Sequence, residues 1–190
     1  MEDKYIKLRQ ECWDQALFSF GYGYIFSKRA QRYRKYISLI NVFGIIVPVT
    51  VGATATGYGL NSDFLKYAII LAIPLTILQL LFSVLMIVLK WDDQLGYSYE
   101  ASKEHGNLSE EFKKIASRPP EKYEELDHQF EIVKTKFSAR QEQNSKYNLR
   151  EKELRKGMRY ALREFKRTCY GCKTIPVSMD ATDCDICGKF

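Results

Sequence analysis

Charge is nearly missing from residues 37 to 89, where Lys66 is the one basic residue and Asp63 the one acidic residue. So long a stretch without charge excludes a solvated surface segment and points away from a soluble helical hairpin. Histidine is also scarce. His105 and His128 are the only two, both in a polar helical region and both expected at the surface. No nucleophile motif accompanies them and no Gly-rich phosphate loop is present, so an enzyme is not expected. Cysteine is confined: of five, four stand between 169 and 187, which is not the layout of a secreted disulfide framework. Cys12 is left over and reads as a buried thiol. The N-terminus, MEDKYIKLRQECWDQ, is charged and lacks an apolar run with a small-residue cleavage site, so no signal peptide is read.

Against these absences stand two apolar segments, 37–60 and 64–89. A membrane helix needs about 20 apolar residues, and both segments exceed that. Pro48 and Pro74 are tolerable within such helices. The linker Asn61-Ser62-Asp63 is so short that the two must run antiparallel, with both ends on one side. Lys28, Arg29, Arg32, Arg34 and Lys35 precede the first segment and Lys90 follows the second, while the linker has no cation. The positive-inside rule then places both termini in the cytoplasm. Tyr36 and Trp91 suit the cytoplasmic interface.

Polar and small residues mark one face of each segment. In the first, Asn41, Gly44, Pro48, Gly52, Thr56 and Gly59 align; in the second, Ala72, Thr76, Gln79 and Ser83 step by four, three and four. Small residues let helix backbones approach, and Gln79 at mid-membrane needs partners. One face can pack the two helices together. A second can serve self-association, with Ala72, Thr76, Gln79 and Ser83 as pore-facing candidates.

The chain divides into an amphipathic N-terminal helix over 1–36, a transmembrane hairpin over 37–89, a helical cytoplasmic region over 90–168 and a terminal knuckle over 169–190. Gly21 and Gly23 mark the end of the first helix or a kink in it. SRPPEKYEEL opens a helix with Pro120 in an early position and Glu124 and Glu125 in the first turn. Leu126, Phe130, Val133 and Phe137 form its apolar stripe. A break is expected near 144–148, with Asn148 and Glu151 as a capping box, and Leu154, Met158, Ala161 and Phe165 form the stripe of the next helix.

That last helix is strongly basic. From Lys146 to Arg167 nine Lys and Arg face three Glu, an excess equal to the +6 of the whole chain. Lys152, Arg155, Arg159, Arg163 and Lys166 share one face. They are candidates for binding phosphates, anionic lipid or a partner; the plainer reading is a solvated outer face. Nucleic acid is not favoured, since no recognition module is present.

Cys169-x2-Cys172 and Cys184-x2-Cys187 enclose eleven residues. Two such knuckles make a closed tetrahedral site for structural zinc, and iron is the rival metal for the same ligands. The insert is expected to be a small hairpin or turn, with Ile175, Pro176 and Val177 as its few apolar residues.

The aromatic N-terminal helix ending in KRAQRYRKY, the short-turn hairpin and the long helical tail together resemble the SLATT family of two-transmembrane effectors. The C-x2-C-x11-C-x2-C spacing resembles the motif that names a group of mobile-element proteins of that type. The resemblance implies an all-α membrane protein that oligomerises in the inner membrane of a bacterium. It implies a defence effector that forms a pore or disrupts the membrane, controlled by a regulatory protein partner. It also implies that Cys169, Cys172, Cys184 and Cys187 are the metal ligands. The competing expectation is a membrane-anchored adaptor that forms no pore, whose basic, metal-capped tail recruits a protein or nucleic-acid partner.

Overall fold

The computed structural model describes residues 2–58 and 63–190. The structure contains the helices α1 (Glu2–Tyr58), α2 (Asp63–Val88), α3 (Trp91–Ser117), α4 (Tyr123–Ser145) and α5 (Glu151–Glu164). Among the described residues there is no strand. Gly59, Leu60, Asn61 and Ser62, which include most of the expected linker, lie outside the described residues. The chain forms two compact units. One joins the residues up to Lys28 with Ser98–Phe190; the other is Arg29–Tyr97.

In the first unit, the start of α1 packs with α3 and α4. Leu8, Cys12 and Ala16 meet Leu108, Phe112, Ile115 and Ala116 from α3 and Leu126, Phe130 and Val133 from α4. The α4 stripe expected from spacing is therefore the core face. Small residues set the helix separation. Ser109 donates to the Ala16 carbonyl at 2.9 Å, and Ser102 donates to the Gly23 carbonyl at 3.0 Å.

Gly21 and Gly23 do not end the helix: α1 runs through both. Glycine costs about 1 kcal/mol in a helix interior, and here the cost is offset by close packing. A Cβ on Gly21 would meet the Gly157 carbonyl oxygen of α5 at 3.1 Å, and one on Gly23 would meet the Ser102 carbonyl oxygen at 3.5 Å.

His105 is not at the surface. It is 0% exposed, its ring stacked with those of Tyr22 and Phe26 and in edge contact with Phe137. Asn144 donates to its Nε2 at 2.8 Å, which leaves the proton on Nδ1, facing the Ser19 hydroxyl at 3.4 Å. A polar residue can be buried when its ring nitrogens are satisfied, and these partners come from α1 and α4, far away in sequence.

Two helix starts shift. Pro120 precedes α4, where its carbonyl accepts from the Tyr5 hydroxyl at 2.7 Å. The break before α5 falls where expected, but the cap is Arg150, whose backbone N–H donates to Glu153 at 3.1 Å.

In the second unit, α1 beyond Arg29 packs along α2. The residues of α1 that are not fully exposed there include Ile37, Ile40, Gly44, Val47, Val51 and Thr54; those of α2 include Leu65, Ala68, Ala72, Gln79 and Ser83. Gly44 makes room for Gln79, whose Nε2 would lie 2.6 Å from a Cβ there. Both helices are long and apolar enough to cross a membrane, and no residue in the most apolar window of either is buried. Lys90, with φ 51°, ends α2 and redirects the chain into α3. Trp91 then lies against Tyr36 and Tyr33, with ring centroids 5.9 and 6.3 Å apart.

Candidate metal centre

The centre begins with how α5 stops. Lys166 adopts a left-handed conformation (φ 51°), and the N–H of Arg167 reaches back to the Leu162 carbonyl at 2.9 Å. This is the 6→1 bond of a Schellman stop. The chain reverses and carries Cys169 onto the apolar end of α5, where Cys169 and Cys187 are buried with Leu17, Ala161 and Leu162.

Two tight turns then present the sulfurs. In the first, the Lys173 N–H bonds the Cys169 carbonyl and the Cys169 N–H bonds the Thr174 carbonyl, both at 2.9 Å. In the second, the N–H groups of Gly188 and Lys189 both bond the Cys184 carbonyl, at 2.8 and 3.0 Å. Gly188 is required by space, since a Cβ would sit 2.5 Å from the Thr182 carbonyl oxygen.

The four sulfurs lie within 4.8 Å of one another. Cys169 and Cys184 are 3.9 Å apart, and Cys172 and Cys187 are 3.8 Å apart. None is in a disulfide. A tetrahedron with metal–sulfur bonds of about 2.3 Å has edges of about 3.8 Å, so the arrangement fits a metal ion such as zinc. Hydrogen bonds to sulfur favour thiolates. The hydroxyl and then the backbone of Thr174 pull the Cys172 thiol down to about 6. The N–H groups of Cys187 and Ile186 lower Cys184. Burial, and then the neighbouring cysteine sulfurs, push Cys187 up, since a thiolate is disfavoured where it is shielded from water.

The family model of the mobilome CxxCx(11)CxxC protein matches residues 9–190. The chain belongs to this family. No curated protein and no solved structure matches the chain.

In this mobilome CxxCx(11)CxxC protein the eleven-residue insert is an irregular turn. Pro176 is buried, whereas Val177 is 88% exposed. Of the three apolar residues of the insert, Ile175 and Val177 are therefore exposed and only Pro176 is covered.

The basic face of α5 is divided. Arg159 is turned onto the knuckle: its Nε donates to the Ser178 carbonyl at 2.7 Å and its Nη1 to the Cys187 carbonyl at 3.3 Å. Arg155 donates to the Lys189 carbonyl at 3.1 Å, and Lys156 lies over the Phe190 ring at 5.0 Å. Arg163 pairs with Glu164 and lies over Tyr160. Lys152 and Lys166 are exposed, and Lys166 is past the end of α5. A helical wheel places these residues on one face but carries no sign that the chain folds back across it.

Of the other candidates, Ala72, Gln79 and Ser83 are partly covered by α1, while Thr76 is exposed and donates to the Ala72 carbonyl at 2.8 Å. Asn41, Pro48, Gly52 and Thr56 face outward, and a Cβ on Gly52 would meet nothing within 4 Å. Gly59 is outside the described residues. Thr174 and Gly171 also support the cysteines and were not singled out by sequence. The x2 turn is the signal that could have found them.

Proposed function

We propose that this protein is a membrane effector of a bacterial conflict system, resembling the SLATT effectors. It oligomerises in the inner membrane and forms a pore or disrupts the bilayer, arresting or killing the cell. The observation that carries this reading is the second unit: two long apolar helices, packed on each other through Gly44 and Gln79, with the rest of their apolar surface uncovered. Such a surface is stable in lipid and not in water. Membership in a mobilome family is consistent with a role in conflict between genomes.

The hairpin has both ends in the cytoplasm, supported by the cations at 28–35 and 90. Two faces remain for contacts between subunits: the line Asn41–Pro48–Gly52–Thr56 and the outer face of α2 that includes Thr76. The knuckle holds zinc and caps the cytoplasmic region, where a regulatory protein acts.

The test is induction in bacteria with membrane potential and dye entry followed together. Depolarisation on induction, lost in Gln79→Leu, is the expected result. A fully polarised membrane with the protein inserted and abundant would overturn the effector reading. It would favour the adaptor, for which one observation speaks: Tyr170 (82% exposed) and Val177 stand uncovered on the knuckle.

A further inference from the structure

Two arginines in the first unit are almost fully buried, Arg140 and Arg159. A buried guanidinium needs a counter-charge. Arg140 has carboxylates, with Glu104 at 2.8 Å and Glu100 at 3.6 Å. Arg159 has none: among the described residues no Asp or Glu oxygen lies within 4.0 Å of it. It faces instead the Ser178 carbonyl at 2.7 Å, the Cys187 carbonyl at 3.3 Å, the Thr182 hydroxyl at 3.5 Å and the Cys187 sulfur at 4.0 Å.

These partners are neutral if the cysteines are thiols or disulfides. The cation would then be buried without balance. Four thiolates around a divalent ion carry a net charge of −2, which supplies the missing anion at the place where the guanidinium points. We infer that Arg159 is the counter-charge of the four-thiolate metal centre and its positioning residue, tying metal loading to the docking of the knuckle on α5. Arg159 holds the middle of the insert at Ser178, its far end at Thr182 and the second knuckle at Cys187. Loss of the anion therefore releases the knuckle from the helix.

The inference rests on the metal reading of the cysteines, so metal content of the full chain is measured first. Wild type without bound metal removes both readings; the next step separates them. In detergent, zinc stripping by a chromogenic chelator and the thiolate charge-transfer band of the cobalt-loaded protein are compared for wild type, Arg159→Met, Arg159→Lys and Lys152→Met. Outer-shell partners of metal ligands are worth about 10–100-fold in affinity. A loss of that size is expected in Arg159→Met and recovery to within about threefold of wild type in Arg159→Lys. No change is expected in Lys152→Met, since Lys152 is exposed on the same helix.

A second readout distinguishes charge from packing. Stability of wild type and Arg159→Met is compared with metal bound and after removal. Charge balance predicts that the variant is penalised only when metal is bound, whereas a merely structural role predicts the same penalty in both states. Wild-type zinc retention in Arg159→Met, or an equal penalty in both states, overturns the inference. If Arg159→Met does not fold, Arg159→Lys decides: a zinc affinity more than about tenfold below wild type overturns it, and one within about threefold sustains it.

Discussion

Gly157 of α5 and Gly21 of α1 meet backbone to backbone. A Cβ on Gly157 would stand 2.8 Å from the Gly21 carbonyl oxygen and 2.6 Å from Ile25 Cδ1. The contact seats α5, and with it the cysteine knuckle, on the part of α1 that belongs to the first unit.

Gly157→Leu is expected to destabilise the first unit by about 1–3 kcal/mol or more, since a well-packed contact must be forced apart. Gly106→Ala is the control. A methyl there meets nothing within 4 Å, so it should stabilise the helix by up to about 1 kcal/mol. Urea denaturation followed by Trp13 fluorescence measures both; equal effects would contradict the packing.

His105 makes the first unit sensitive to acid. Burial, and then the nearby Arg140 charge, hold its imidazole down at about 4, against the ordinary 6.5. The unfolded chain therefore binds more protons between those values. The contribution to stability is full above pH 6.5 and lost as pH falls toward 4, by about 3 kcal/mol in all. His105→Gln should flatten that part of the stability–pH curve. The same slope in wild type and variant would count against it.

The thiols should separate into two classes. With metal bound, modification at pH 8 should be slow at all five cysteines. After chelation, Cys172 and Cys184, which are accessible and whose thiols are held down, should react quickly, while Cys12, 0% exposed and pushed up to about 11 by burial and by Glu11, stays slow. Cys184→Ser should lose the metal and Cys12→Ala should keep it. Unchanged metal content in Cys184→Ser would remove the site.

The helix pair of the second unit gives a functional test. Gly44→Leu should displace Gln79 and separate α1 from α2, abolishing depolarisation if the effector reading holds. Gly52→Ala should retain it, since a Cβ there meets nothing within 4 Å in the chain. Loss of depolarisation in the bulkier Gly52→Leu alone would place a subunit contact on that face. Immunoblotting of the membrane fraction checks that each variant inserts.

The apolar helices and the four cysteines were legible because their signals are local: a run of uncharged residues and a fixed spacing. The stripe Leu126–Phe130–Val133 was legible for the same reason, as helical period alone fixes its face. What could not be read depends on partners far along the chain. His105 is buried by Ser19 and Asn144, Gly23 is covered by Ser102, and Arg159 is drawn inward by a knuckle that follows it. Gly21 and Gly23 show the bias most directly. A sequence window charges glycine with its local cost, and the helix opposite that offsets it is not in the window.

The membership of the first unit has a consequence for biosynthesis. Its core joins Leu8, Cys12 and Ala16 to residues from Leu108 onward, and the whole apolar stretch is translated between them. At roughly 5–20 residues per second, the early face of α1 waits several seconds before α3 and α4 exist to cover it. The first unit therefore cannot fold in the order in which it is made. A nascent chain interrupted before residue 98 would present that uncovered face to chaperones and proteases, before the rest of the first unit is made to cover it.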